Sequence, residues 1–199
     1  DMEETKIISV DVDNVENERF FCYKSKPKTP GYQKKLAWLK ARFDEGMRIK
    51  ILYEGKRSFG FIEYLPGEHA WRAVHAPGYM FIHCLWTNGK KFQHQGLGRL
   101  LIEEVGKDAE NMSGVAAIAS DRSFMAKKDI FIKNGYKILS ESGDDQLMVK
   151  QFRDGSLPSL NNWQDELAKY KGLTIVYSKQ CPWVARFMEE VKPILDGKK

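Results

Sequence analysis

The stretch Phe92-Gln93-His94-Gln95-Gly96-Leu97-Gly98-Arg99-Leu100-Leu101 constrains this chain more than any other. It follows an apolar run at 79–86 and opens a pattern in which Leu97, Leu100, Leu101, Val105, Ala109 and Met112 recur at helical spacing. The local order predicted is therefore strand, polar turn, helix. Glycines at 96 and 98 leave no Cβ between the backbone and a ligand. The N–H groups of a first helical turn lack intrahelical acceptors, and the helix dipole favours an anion beside them. Lys90, Lys91 and Arg99 add positive charge, so the stretch suits a phosphate, most naturally a pyrophosphate. It is neither of the two common phosphate loops. The Gly-Lys-Ser/Thr ending of one and the three spaced glycines of the other are absent.

The rest of the chain surrounds this turn with alternating elements. Residues 6–12 predict a strand, Asp13-Asn14 cap a short helix to about 23, and a proline-broken basic loop at 24–31 leads into a helix over 32–44. In that helix Leu36, Leu39 and Phe43 share a face, with most lysines elsewhere. Two strands, 48–53 and 59–65, flank the hairpin signal Glu54-Gly55-Lys56-Arg57. Residues 68–78 read as loop before the strand 79–86. After the glycine-turn helix come a small-residue strand at 114–120, a helix over 124–134, and a hairpin from 136 to 152.

Gln93-x-x-Gly96-x-Gly98 resembles the coenzyme A pyrophosphate loop of the GNAT (GCN-five-related) N-acetyltransferase superfamily. A second piece, Ile130-Phe131-Ile132-Lys133-Asn134-Gly135-Tyr136, resembles that superfamily's helix ending in aromatic-x-x-x-Gly-aromatic. The two occur in the right order across 6–152. The resemblance implies an α+β, three-layer fold: a mixed, mostly antiparallel sheet splayed at its centre. It implies acetyl-CoA as co-substrate, a transferase that is an acyltransferase, and direct attack by an amine on the thioester. Cofactor-binding positions carried over are Leu85, Trp86, Lys91, Gln93, His94, Gln95, Gly96, Leu97, Gly98, Arg99, Ser120 and Phe131. Phe131 stands where such enzymes often carry a tyrosine acid, and phenylalanine has no proton to give. Candidates for the base are Glu63, Glu68 and His83, and Ser120 or Ser123 could contact the cofactor or donate a proton through water. Cys84 adjoins His83 but reads as a small buried hydrophobe.

Residues 153–162 read as a linker, and 163–199 as an extension with a short helix, a strand at 173–177, a turn at Cys181-Pro182 and a final helix. Cys-Pro at a strand-to-helix turn resembles the start of a thioredoxin-like unit, with Val184 in place of a second redox cysteine. The pairing of the two parts resembles YoaP-type bacterial acetyltransferases. Three dispersed cysteines form neither a disulfide framework nor a metal spacing, so no metal and a cytoplasmic setting are expected. No apolar run approaches a membrane span, and a net charge of +5 in scattered lysines argues against nucleic acid. Expected partners are a small-molecule or peptide amine acceptor, with the chain a monomer or homodimer. Two other functions fit the residues: an acyl-CoA-binding sensor with little catalysis, and a thiol module centred on Cys181.

Overall fold

The computed structural model describes residues 4–88 and 96–197. In chain order the elements are β1 (Thr5–Val10), α1 (Val15–Glu18), α2 (Pro30–Asp44), β2 (Arg48–Glu54), β3 (Arg57–Pro66), β4 (Val74–His75), β5 (Tyr79–Thr87), α3 (Leu97–Asp108), β6 (Gly114–Ser120), α4 (Lys128–Ile132), β7 (Lys137–Ser142), β8 (Asp145–Gln151), β9 (Ser159–Leu160), α5 (Trp163–Leu167) and α6 (Trp183–Asp196). Seven strands form one sheet in the order β1-β2-β3-β5-β6-β8-β7. Neighbours are antiparallel except β5 and β6, which are parallel. Leu101, Ile102 and Val105 of α3 pack on one face with Phe131 of α4. Tyr32 and Leu39 of α2 pack on the other with Val15 of α1. Helices cover both faces of a mixed sheet, which is the three-layer architecture expected.

Two features of the sheet position the site. Along β3 the side chains alternate: Phe61 and Leu65 meet α2, whereas Ile62 and Tyr64 meet α3. On β5 the alternation breaks, because Ile82 and Leu85 both lie on the α3 side and Cys84 on the α2 side. The cause is a bulge. Cys84 stands opposite Glu63 and Ile82 opposite Tyr64, which leaves His83 as the extra residue. The second feature is a splay. β5 and β6 pair only from Tyr79↔Gly114 to Ile82↔Ala117, although β5 continues to Thr87 and β6 to Ser120.

The far end of α3 is anchored by a polar knot. The Tyr64 hydroxyl donates to Asp108 Oδ2 at 2.5 Å, and Arg48 and Lys50 reach the same oxygen at 2.9 and 3.3 Å.

Several local expectations are corrected. The helix over 13–23 is one turn, Val15–Glu18, because Arg19 and Tyr23 take positive φ and break it. The helix over 124–134 shortens to Lys128–Ile132, following Phe124 at φ 64. The segment read as a linker contains β9, which pairs with β4 through Val74↔Leu160 and His75↔Ser159. Residues 173–177 form no strand. Their Leu173 and Val176 side chains are exposed.

Candidate active site

Where β5 leaves β6 a narrow slot opens, lined by Ile82, His83, Leu85, Ile118, Phe124 and Phe131. The sheet itself creates it: the parallel ladder stops at Ile82, and among the described residues the edge of β5 facing β6 has no partner strand beyond it. Phe124 sits at this slot 92% exposed with φ 64, an arrangement rare for a bulky residue.

Beside the slot, α3 begins at Gly96, whose φ of 72 is left-handed and suits glycine. The first intrahelical bond at this end is Leu100 N–H to Gly96 O at 3.2 Å. Among the described residues no side chain caps the helix, and a Cβ on Gly96 would meet nothing within 4 Å. The N–H groups of Leu97, Gly98 and Arg99 lack intrahelical acceptors. Gly98 packs closely on α4, since a Cβ there would lie 2.5 Å from Ile130 Cδ1 and would push that side chain end aside. Arg99 is exposed and pairs with Glu103 at 2.6 Å rather than standing free over the turn. Lys91, Gln93, His94 and Gln95 lie outside the described residues.

On the α2 face a buried polar chain approaches the same bulge. Lys35 and Glu63 form an ion pair with each side chain 1% exposed. Burial alone would lower the Lys35 amine, but the Glu63 carboxylate outweighs it and holds the amine above its ordinary value. Gln180 Nε2 donates to Glu63 Oε2 at 3.1 Å, and the Trp71 indole N–H donates to Gln180 Oε1 at 3.1 Å. Trp71 lies flat on His83, with centroids 3.6 Å apart and planes 8° from parallel. Both ring nitrogens of His83 are buried without a hydrogen-bond partner among the described residues. Burial, with Arg72 nearby, pushes its pKa well below the ordinary histidine value. The ring is therefore neutral, not poised near pH 7 as a tuned base.

The candidate residues divide accordingly. His83, Leu85 and Phe131 line the slot. Glu63 is buried rather than an exposed strand carboxylate, and both its oxygens are engaged. Ser120 is buried, its Oγ accepting from Arg122 N and Nε at 3.3 Å each. Ser123 is exposed and does not line the slot. Trp86 is 43% exposed and tilts against Phe21 at 5.0 Å. Burial pushes the Cys84 thiol up, which makes it inert. Lys35 and Gln180 were missed. A signal existed for Lys35: Tyr32, Lys35 and Leu39 share one helical stripe, and all three are buried. Local sequence holds none for Gln180, whose partners lie across the fold.

No protein-family profile matches the chain. It is 30% identical over 199 residues to the uncharacterised N-acetyltransferase YoaP of Bacillus subtilis (strain 168), a match covering 96% of this chain and 78% of that protein. This chain belongs to the GNAT N-acetyltransferase family. Solved acetyltransferase structures share its fold. The yncA putative acetyltransferase of Salmonella typhimurium, solved with its cofactor acetyl-CoA, superposes with a TM-score of 0.52 at 15% identity, over 78% of this chain and 98% of that one. An acetyltransferase from Thermus thermophilus gives 0.51 at 14% identity, over 76% and 99%. As a GNAT N-acetyltransferase the chain is an acyltransferase. Among the described residues no helix is long and apolar enough to cross a membrane, and no cluster could hold a metal ion.

Proposed function

We propose that the chain moves the acetyl group of acetyl-CoA directly to a primary amine of a small molecule or peptide. The observation that carries this is the separation of β5 from β6 beyond Ile82 and Ala117, next to the uncapped start of α3. The residues present fit the cofactor. Among the described residues nothing crowds Gly96, which suits a pyrophosphate against the N–H groups of Leu97, Gly98 and Arg99. The edge of β5 at Leu85 and Trp86 offers backbone groups to the pantetheine arm, with Phe131 lining the same slot.

Bound acetyl-CoA supplies an activated acetyl thioester. The protein supplies position and hydrogen bonds. A neutral His83 has one N–H to donate and one nitrogen to accept; both atoms are buried and unpartnered among the described residues, and the residue lines the slot. Its N–H is suited to the negative charge that develops on the reacting carbonyl oxygen. A full positive charge on the ring is opposed by burial and by Arg72, so the amine enters already deprotonated by solvent. Phe131 gives the leaving sulfur no proton, so the C–S bond breaks to release thiolate, and the proton that the attacking nitrogen sheds as the amide forms passes to solvent.

The test is calorimetry of acetyl-CoA binding to the parent and to Gly96→Glu, followed by release of coenzyme A thiol with a panel of spermidine, tyramine, free amino acids and a lysine-containing peptide. Binding lost in the variant and thiol release dependent on one amine class support the assignment. Absence of binding to the parent refutes it. A second reading, an acyl-CoA sensor, rests on Phe131, which is buried at the slot without a hydroxyl. Binding without transfer to any amine would select it.

A further inference from the structure

We propose that Gln180 is a positioning residue for acetyl transfer: from the C-terminal segment it fixes Trp71, and through Trp71 the His83 imidazole at the slot. This rests on the slot being the transfer site.

Gln180 sits between two groups that can each be bonded in one sense only. Its Nε2 donates to Glu63 Oε2 and its Oε1 accepts from the Trp71 indole N–H, both at 3.1 Å. An ionised carboxylate only accepts and an indole only donates. A flipped amide would lose both bonds, so the orientation is unique. Glu63 is immobilised in turn by Lys35 of α2, with both side chains 1% exposed. Lys35, Glu63, Gln180 and Trp71 therefore form one directed chain across α2, β3, the C-terminal segment and the loop before β4.

The chain ends on His83. No hydrogen bond orients that ring among the described residues. Its attitude is set by stacking on Trp71, at 3.6 Å between centroids, and by the edge of Phe81 at 4.7 Å. Trp71 is held by its bond to Gln180 and by the Trp38 ring at 4.7 Å. The bulge on β5 makes this external support necessary, because it removes His83 from the regular pleat that would otherwise aim it.

The test uses the full chain with two substitutions. Gln180→Met keeps length and volume but removes both bonds. Gln180→Glu sets a second carboxylate beside Glu63, with only Lys35 to neutralise the pair. Transfer is followed as coenzyme A thiol release with the best acceptor of the amine panel, and acetyl-CoA affinity by calorimetry. The His83 ring resonances, identified by their loss in His83→Gln, report stacking under Trp71. In Gln180→Met, kcat falls roughly tenfold or more, acetyl-CoA affinity stays within about twofold, and the His83 resonances move. In Gln180→Glu, repulsion displaces the side chain at neutral pH. A proton shared between the carboxylates at lower pH restores a donor for Glu63 and an acceptor for Trp71. Activity relative to the parent therefore rises as pH is lowered from about 8 to about 6.

Parent-like kcat in Gln180→Met, unmoved His83 resonances, or a Gln180→Glu ratio flat with pH would each overturn the proposal. If the parent acetylates no amine of the panel, the slot assignment fails instead, and the resonances still decide whether Gln180 positions the ring.

Discussion

Replacing Lys35 with methionine isolates the buried ion pair on which the α2 face is built. Both partners are 1% exposed, so solvent screening gives no discount. Removing one member of such a pair leaves the other charge uncompensated and costs about 3–5 kcal/mol. The lower end applies here, because Gln180 still donates to Glu63 Oε2 at 3.1 Å. For a chain of this size a loss of about 3 kcal/mol corresponds to a fall in Tm of about 6–12 °C. Urea unfolding of Lys35→Met at neutral pH, beside Lys35→Met/Glu63→Gln, measures it. The double variant should recover most of the deficit at neutral pH, because an amide at 63 can still accept from Gln180 without a buried charge. A single variant within about 1 kcal/mol of the parent, or no less stable than the double variant, would refute the buried-pair account.

Other substitutions test separate links. Gly96→Glu should lower acetyl-CoA affinity at least tenfold by placing a carboxylate at the start of α3. Gly96→Ala should cost about 1 kcal/mol of stability from φ 72 alone, read by urea titration. Tyr64→Phe removes the 2.5 Å bond to Asp108 and should cost about 1.5–3 kcal/mol, as for a hydrogen bond to a charged group. Burial alone would raise the Asp108 carboxyl, but the Tyr64 and Arg48 hydrogen bonds and Lys50 hold it below its usual range. That stability is present above the unfolded value and lost as pH falls, so the acid-induced loss below about pH 4 should be shallower in Tyr64→Phe. Gly31→Ala would set a Cβ 2.3 Å from the Pro182 carbonyl oxygen. The strain, about 1–3 kcal/mol, should loosen the C-terminal segment and speed limited proteolysis of residues 171–181 roughly tenfold, while the sheet melts as in the parent.

What could be seen in advance was whatever the chain encodes over a few residues. The turn into α3 was legible because an apolar run, two close glycines and a helical period adjoin one another, and the parallel β5–β6 pair follows from placing that helix between two strands. The small residues of β6 announced a strand covered on both faces. The His83 bulge was not legible. It exists only relative to β3, and the shift lies between Glu63 and Tyr64 of the partner strand. The strand expected at 173–177 failed for the complementary reason. Its β-branched residues suit a pleated surface, but a strand needs a partner edge, and among the described residues this segment pairs with none.

The α2 face shows the same limit in its chemistry. Lys35 lies on the stripe that buries Tyr32 and Leu39, yet a lysine there reads as solvated until a buried carboxylate is known to face it. That carboxylate lies 28 residues on, and the amide that completes its bonding 117 residues beyond Glu63. Burying a carboxylate is costly unless cation and donor are both present, so neither Lys35 nor Gln180 has an evident purpose without Glu63. Spacing reveals a glycine turn into a helix, because glycine and helix period are local properties. A network of paired side chains becomes visible only when the fold brings its donors and acceptors together. For this reason the turn into α3 could be read from sequence, and the Lys35–Glu63–Gln180 network required the structure.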